Sequence, residues 1–242
     1  MTLSVLMPVW NESATLEEIL RRVAAVELDK EILIVDNVST DGTLEILRAM
    51  LDRGDAGLPD SEARVRIAFQ DENKGKGASV RRALELARGD WVIVQDADLE
   101  YDPRDYLKLM NAAEKRRLDV VFGTRLKGQT RAGQPRTSFF YGRVGLSVFF
   151  RLLYGSPLSD VATCYKLLKR PFAQTLDLQS DGFDLDFEIA AKVARAARRR
   201  QIRVGEVPIS YEPRTELEGK KIRAVHDGWR AARALLKFRW TD

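Results

Sequence analysis

Apolar, β-branched runs alternate with helix-like segments along this chain, and that alternation leaves few folds open. Residues 3–9, 31–36, 66–70, 91–95 and 119–124 read as strands. Helical patterns lie between them. Ser13 is placed to cap the first, with Glu17 and Glu18 near its positive end. Thr40 or Asp41 starts the second at about 42–53, the third spans 76–88, and the fourth 103–117, with Pro103 suiting a first helical turn. Strands that alternate with helices predict a mostly parallel sheet covered on both faces. Right-handed crossovers bring the strand C-termini to one edge, where open α/β sheets bind ligands. Polar clusters fall at that edge, at 8–12, 36–42, 96–100 and 124–125.

The most chemically pointed stretch is VIVQDADLE, residues 92–100. An apolar strand ends in Asp96, Asp98 and Glu100. Alternate residues of an extended segment face the same way, so the three carboxylates are expected to converge. An isolated D-x-D also occurs as an acidic surface turn. Converging negative charge is otherwise costly without a cation, and oxygen-only ligands suit Mg2+ or Mn2+. Such an ion keeps positions open for substrate phosphates. Lys74, Gly75, Lys76 and Gly77 form a basic turn opening a helix, where backbone N–H groups and ammonium charge would hold a phosphate.

At 242 residues and 45% hydrophobic content, one large α/β domain is expected. Its extent is drawn as 1–212, with 213–242 a basic C-terminal segment belonging to the same unit. The single cysteine, Cys164, excludes an internal disulfide, fits a reducing compartment and reads as a packed small residue. No secretory signal is evident. The most apolar stretch, 139–154, is interrupted by Arg143 and Arg151, so no membrane-spanning helix is expected. Residues 52–62 read as an exposed loop, and 127–137 as a mobile loop or lid. Residues 190–242 hold 14 Lys/Arg against six Asp/Glu, which would meet anionic lipid, nucleic acid or substrate phosphate.

The segments PVWNES (8–13), VDNVSTDGT (35–43), NKGKGASVRRAL (73–84), QDADLEYDP (95–103) and FGTRL (122–126), in that order, resemble the family 2 inverting glycosyltransferases. That resemblance implies a GT-A fold. DVATCYKLLKR (160–170), GFDLDFEI (182–189), EVPISY (206–211) and PRTELEGKKI (213–222) are similar to the branch that glycosylates polyprenyl phosphates, including dolichol-phosphate mannosyltransferases. One departure is that Asp36 is followed by Asn37 and Val38 where the family often has a second aspartate.

The resemblance implies a role for each matched residue. Pro8, Trp10 and Glu12 would line the nucleotide pocket, with Val35, Asp36 and Asn37 edging the base. Asp41 and Gly42 would build a turn. Lys74 would contact substrate. Asp96, Asp98 and Glu100 would hold the metal on the donor diphosphate, and Ala97 would let the nucleotide approach the backbone. Arg125 would meet phosphate. Arg136, with Arg131 as second choice, would clamp the acceptor phosphate. Arg214 and Lys220, or the neighbouring Lys221, would close over the donor phosphates. Asp160, Thr163, Phe187 and Glu188 match positions near acceptor or sugar. His226 is the sole histidine, in a helical pattern.

The implied reaction moves mannose or glucose, with inversion, from a nucleoside-diphosphate sugar such as GDP-mannose or UDP-glucose to a polyprenyl phosphate. A phosphate acceptor is already largely dianionic and needs no general base. Residues 222–240 place Ile222, Val225, Trp229, Ala232 and Leu236 at helical spacing among Arg230, Arg233, Lys237 and Arg239. That pattern suits an amphipathic helix on the cytoplasmic face of an anionic membrane, or one packed on the domain. The alternatives are the same fold acting on a hydroxyl acceptor, and a non-enzymatic basic protein gripping nucleic acid. No nucleic-acid motif is present, so no nucleic-acid partner is expected.

Overall fold

Strand β1 (Leu3–Val9) is buried along almost its whole length, as expected for a strand covered on both faces. The computed structural model describes residues 1–53, 64–126, 138–214 and 224–241. β1 pairs in parallel with β2 (Lys30–Asp36) and β4 (Trp91–Val94), and β2 with β3 (Arg64–Phe69). β5 (Val120–Thr124) pairs in parallel with β7 (Val204–Pro208). Between these two parallel groups lies β6 (Lys166–Lys169), antiparallel to both β4 and β5. The sheet therefore reads β3-β2-β1-β4-β6-β5-β7. The five expected strands are present, and the sheet is α/β and mostly parallel. β6 and β7 are additions.

The helices are α1 (Leu16–Ala24), α2 (Thr43–Arg53), α3 (Lys76–Leu86), α4 (Asp105–Lys115), α5 (Ser138–Tyr154), α6 (Arg170–Gln174), α7 (Leu185–Arg198) and α8 (Ala224–Trp240). Two expected boundaries move for local reasons. Ser13 does not cap α1: the Glu12 carbonyl accepts from Thr15 and Leu16, so a turn intervenes, and Ser13 N–H donates to Asp41. α3 stops short of Arg88 because the N–H groups of Arg88 and Gly89 turn inward onto buried Glu31. The expected loop at 52–62 begins inside α2, and the rest of it lies outside the described residues, as does all of 127–137.

α8 packs against α5 and α7. Tyr154 donates its hydroxyl to the Leu235 carbonyl at 2.6 Å, and Arg239 Nε donates to the Leu153 carbonyl at 3.0 Å. The side chains turned inward are Ala231, Ala234, Leu235 and Phe238. Trp229 and Leu236, expected on the apolar face, are exposed. Ile222 lies outside the described residues, as do the side chains of Val225 and His226. No described helix is long and apolar enough to cross a membrane.

Candidate active site

The C-terminal ends of β1, β2 and β4 lie side by side, which brings three sequence-distant clusters to one edge. Asn37 N–H donates to the Val9 carbonyl, and Gln95 N–H to the Leu6 carbonyl. Trp10 is 41% exposed there, while Pro8 is half-buried. Val35, expected to edge the base, is fully buried, as an apolar residue of a central strand packs inward. Asp36 is buried beside it. Its Oδ2 accepts from Ser39 N–H at 3.1 Å, and its Oδ1 is buried with no hydrogen-bond partner among the described residues.

Asn37 is buried and uses both halves of its amide. Nδ2 donates to Asn73 Oδ1 at 2.8 Å, and Oδ1 accepts from Lys74 N–H at 3.0 Å. A carboxylate has no donor for the first of these bonds. Asn73 Oδ1 also accepts from Gly75 N–H, and Gly77 N–H donates to the Asp181 carbonyl at 2.7 Å. The N–H groups of Lys74, Gly75 and Gly77, three of those expected to cradle a phosphate, are thus already engaged. A Cβ at Gly75 or Gly77 would collide with the backbone carbonyls of Asp181 and Ser180, so these glycines serve close packing. Lys74 is exposed and pairs with Glu72 at 2.9 Å. Asp41 and Gly42 do build a turn. Burial opposes ionisation of Asp41, but hydrogen bonds from Thr43 and Ser13 hold its carboxyl down at about 2.

The carboxylates of 96–100 sit on a turn, not on an extended strand. β4 ends at Val94, and Leu99 adopts φ 63°. Asp98 Oδ1 accepts from Glu100 N–H at 3.1 Å. The alternation argument for convergence therefore fails beyond the strand. Glu100 is drawn aside: its Oε1 accepts from Arg214 N–H at 2.9 Å and its Oε2 from the Tyr211 hydroxyl at 3.1 Å. Asp96 meets Lys76 Nζ at 2.8 Å. Burial, then the charges of Asp96 and Glu100, push the Asp98 carboxyl up to about 8. Ala97 is buried within the turn.

Among the described residues no three His, Cys, Asp or Glu side chains form a ready-made metal shell. Mg2+ needs none, since it takes one or two carboxylates and completes its shell with water and substrate phosphates. Asp96 and Asp98, two oxygen donors crowded in partly buried surroundings, fit such an ion. Glu100, held by Tyr211 and Arg214, departs from the expected three-carboxylate set.

Arg214 joins the pocket to this turn. Its Nη2 reaches Glu12 Oε2 at 2.8 Å, and its Nε donates to the Asp98 carbonyl at 2.7 Å. Glu12 also accepts from the Thr15 hydroxyl at 2.9 Å. Arg125, expected to meet phosphate, makes its described bonds inside the protein. It is 6% exposed and grips Asp160 through Nε and Nη2 at 2.7 and 2.8 Å, while Nη1 donates to the Tyr101 hydroxyl at 2.9 Å. Asp160 is fully buried, so it draws the guanidinium inward. Thr163, Phe187 and Glu188 are also buried. Glu188 accepts from Gln179 and Ser180 N–H groups and pairs with Lys192. Thr163 Oγ1 is buried with no hydrogen-bond partner among the described residues. Arg131, Arg136, Lys220 and Lys221 lie outside the described residues.

Two cations stand near the site in unexpected roles: Lys76, expected to hold a phosphate, instead meets Asp96, and Arg143 on α5 carried no expectation. Arg143 lies 5.7 Å from the Tyr211 ring centre, and Arg125 lies 5.0 Å from the same ring. Burial, then the charge of Arg125, lowers the proton affinity of Arg143. The basic turn at 74–77 had pointed at Lys76; nothing in the apolar run 139–154 set Arg143 apart as a site residue.

Residues 4–176 match the family model described as Glycosyl transferase family 2. The low-salt glycan biosynthesis hexosyltransferase Agl6 of Haloferax volcanii is 30% identical over 240 residues, covering 97% of this chain and 53% of that protein. The chain thus spans about half the length of that relative. A dolichyl-phosphate beta-glucosyltransferase of Dictyostelium discoideum is 24% identical over 98% of this chain and 74% of its own length. Among solved structures, glucosyl-3-phosphoglycerate synthase from Mycobacterium tuberculosis, in complex with Mn2+, UDP and phosphoglyceric acid, aligns with a TM-score of 0.68 at 18% identity. That alignment covers all of this chain and 79% of that one.

Proposed function

The chain belongs to glycosyl transferase family 2, and from that premise we propose that it transfers mannose or glucose from a nucleoside-diphosphate sugar to a polyprenyl phosphate, aided by Mg2+ or Mn2+. The observation that carries this reading is the turn at the end of β4. There Asp96 and Asp98 crowd together between two cations, Lys76 and Arg214. The crystallised neighbour holding Mn2+ and UDP supports the metal, and the dolichyl-phosphate relative supports the acceptor class.

The donor nucleotide enters over the ends of β1 and β2. Trp10 offers an exposed ring for ribose or base, and Asp36 Oδ1 offers a buried acceptor awaiting a donor. Asp96 and Asp98 would hold the metal, which when bound acts as a Lewis acid on the diphosphate. Arg214 spans Glu12 and the carboxylate turn, so its positive charge lies beside the leaving diphosphate. A phosphate oxygen of the acceptor attacks the anomeric carbon from the opposite face. The bond to the nucleoside diphosphate breaks, and the anomeric configuration inverts. The acceptor phosphate has a second pKa of about 6, so no side chain must remove a proton. Arg143, 5.7 Å from the Tyr211 ring centre, is the described cation assigned to that phosphate, with Arg136 seven positions earlier in the sequence as its partner in that role.

Helices α5 and α8 supply the route to a lipid. Tyr141, Val148 and Leu152 on α5 are exposed, and so are Trp229, Leu236 and Trp240 on α8. At 3.6 residues per turn each trio falls within a ~60° stripe. Arg233 and Lys237 beside the α8 stripe suit an anionic membrane surface.

The test uses radiolabelled GDP-mannose and UDP-glucose, Mg2+ or Mn2+, and a short polyprenyl phosphate. A metal-dependent, organic-extractable product from one donor is the expected outcome. Product on a water-soluble hydroxyl acceptor alone would replace the lipid-phosphate reading.

A further inference from the structure

We infer that Lys76 is a positioning residue of the carboxylate turn and a built-in rival of the divalent cation, so that the cation binds well only together with a diphosphate. The inference rests on the metal-dependent reading above. Lys76 Nζ lies 2.8 Å from both carboxylate oxygens of Asp96 and 3.6 Å from Asp186 Oδ2. Asp186 Oδ1 in turn accepts from Lys166 Nζ at 2.6 Å, and Lys166 also donates to the Thr163 carbonyl. Charges therefore alternate from the turn into the interior: Asp96, Lys76, Asp186, Lys166.

The ammonium has little freedom to leave. The Lys76 side chain is 11% exposed, with its Nζ 5.6 Å from the Phe183 ring centre. The start of α3 is pressed onto the 180–182 backbone, where Gly77 N–H donates to Asp181 and neither Gly75 nor Gly77 has room for a Cβ. Lys76 thus keeps Asp96 oriented without any metal. It also puts a fixed positive charge against one of the two carboxylates an ion would use. A cation arriving alone meets that repulsion. A cation arriving with a nucleoside diphosphate brings negative charge and oxygen ligands that offset it. Metal and donor then enter as a unit, and metal and nucleoside diphosphate leave as one.

Mn2+ binding, followed by electron paramagnetic resonance and calorimetry with and without UDP or GDP, tests this on the whole chain. Wild type should bind Mn2+ weakly alone and much more tightly with the matching diphosphate. Lys76→Met should bind Mn2+ alone about tenfold more tightly, the scale of one partly screened charge. The mutual enhancement between metal and diphosphate should fall by the same factor, since such coupling is reciprocal. Lys76→Arg should behave as wild type. Structural damage loosens a metal site, so a tighter one cannot come from misfolding. Should Lys76→Met melt early, Lys76→Gln carries the same expectation. Unchanged or weaker metal-alone binding in a folded, charge-free variant overturns the inference. A wild type that binds no Mn2+ with either diphosphate overturns the metal-site reading itself.

Discussion

At the scale of single residues, Arg125 and Asp160 mark the boundary of what local reading reaches. An arginine closing a strand at the ligand edge was legible as important. Its partner, 35 positions later and fully buried, was not, and that partner ties the arginine into the interior as a strut. Removing one member of a buried ion pair leaves an uncompensated charge. Asp160→Asn should therefore cost about 3–5 kcal/mol of stability by chemical denaturation. The double replacement Arg125→Met with Asp160→Leu should recover much of that loss, because a packed apolar pair carries no desolvation penalty. Asn37 teaches the same lesson. Its departure from the family's aspartate was visible in the sequence, but its bonds to Asn73 and Lys74 needed the fold.

At the scale of elements, strands β1 to β5 and the helices between them were readable because apolar periodicity is local. β6, four residues with lysine at both ends, carries too short a pattern to declare itself, and its antiparallel place between β4 and β5 depends on distant pairing. The turn opening α3 was readable as a motif but not in purpose. Its glycines read as part of a phosphate-holding turn, whereas they let α3 lie on the 180–182 backbone. Gly77→Ala should then destabilise the protein by about 2 kcal/mol or more, since the added methyl meets backbone that cannot yield. Thermal melting of the variant checks this, and an unchanged midpoint would mean the contact is loose.

At the scale of the whole molecule, the outward stripes of α5 and α8 argue for a surface that meets lipid. Sedimentation with vesicles should show binding that rises with anionic lipid and falls with salt. Trp229→Ala combined with Trp240→Ala should weaken it severalfold without changing the melting temperature, because both rings are largely exposed. Binding indifferent to both changes would return these helices to a purely structural role. The sequence by itself determined the family, the α/β order and the sheet edge where the polar clusters gather, because each follows from residues close together in the chain. Only the tertiary structure decided which charges face one another. It drew Glu100 to Tyr211 and Arg214, turned Arg125 inward to Asp160, and set Lys76 against Asp96. Electrostatic partnership depends on distance through space and on burial, and neither is written in the spacing of residues along a chain.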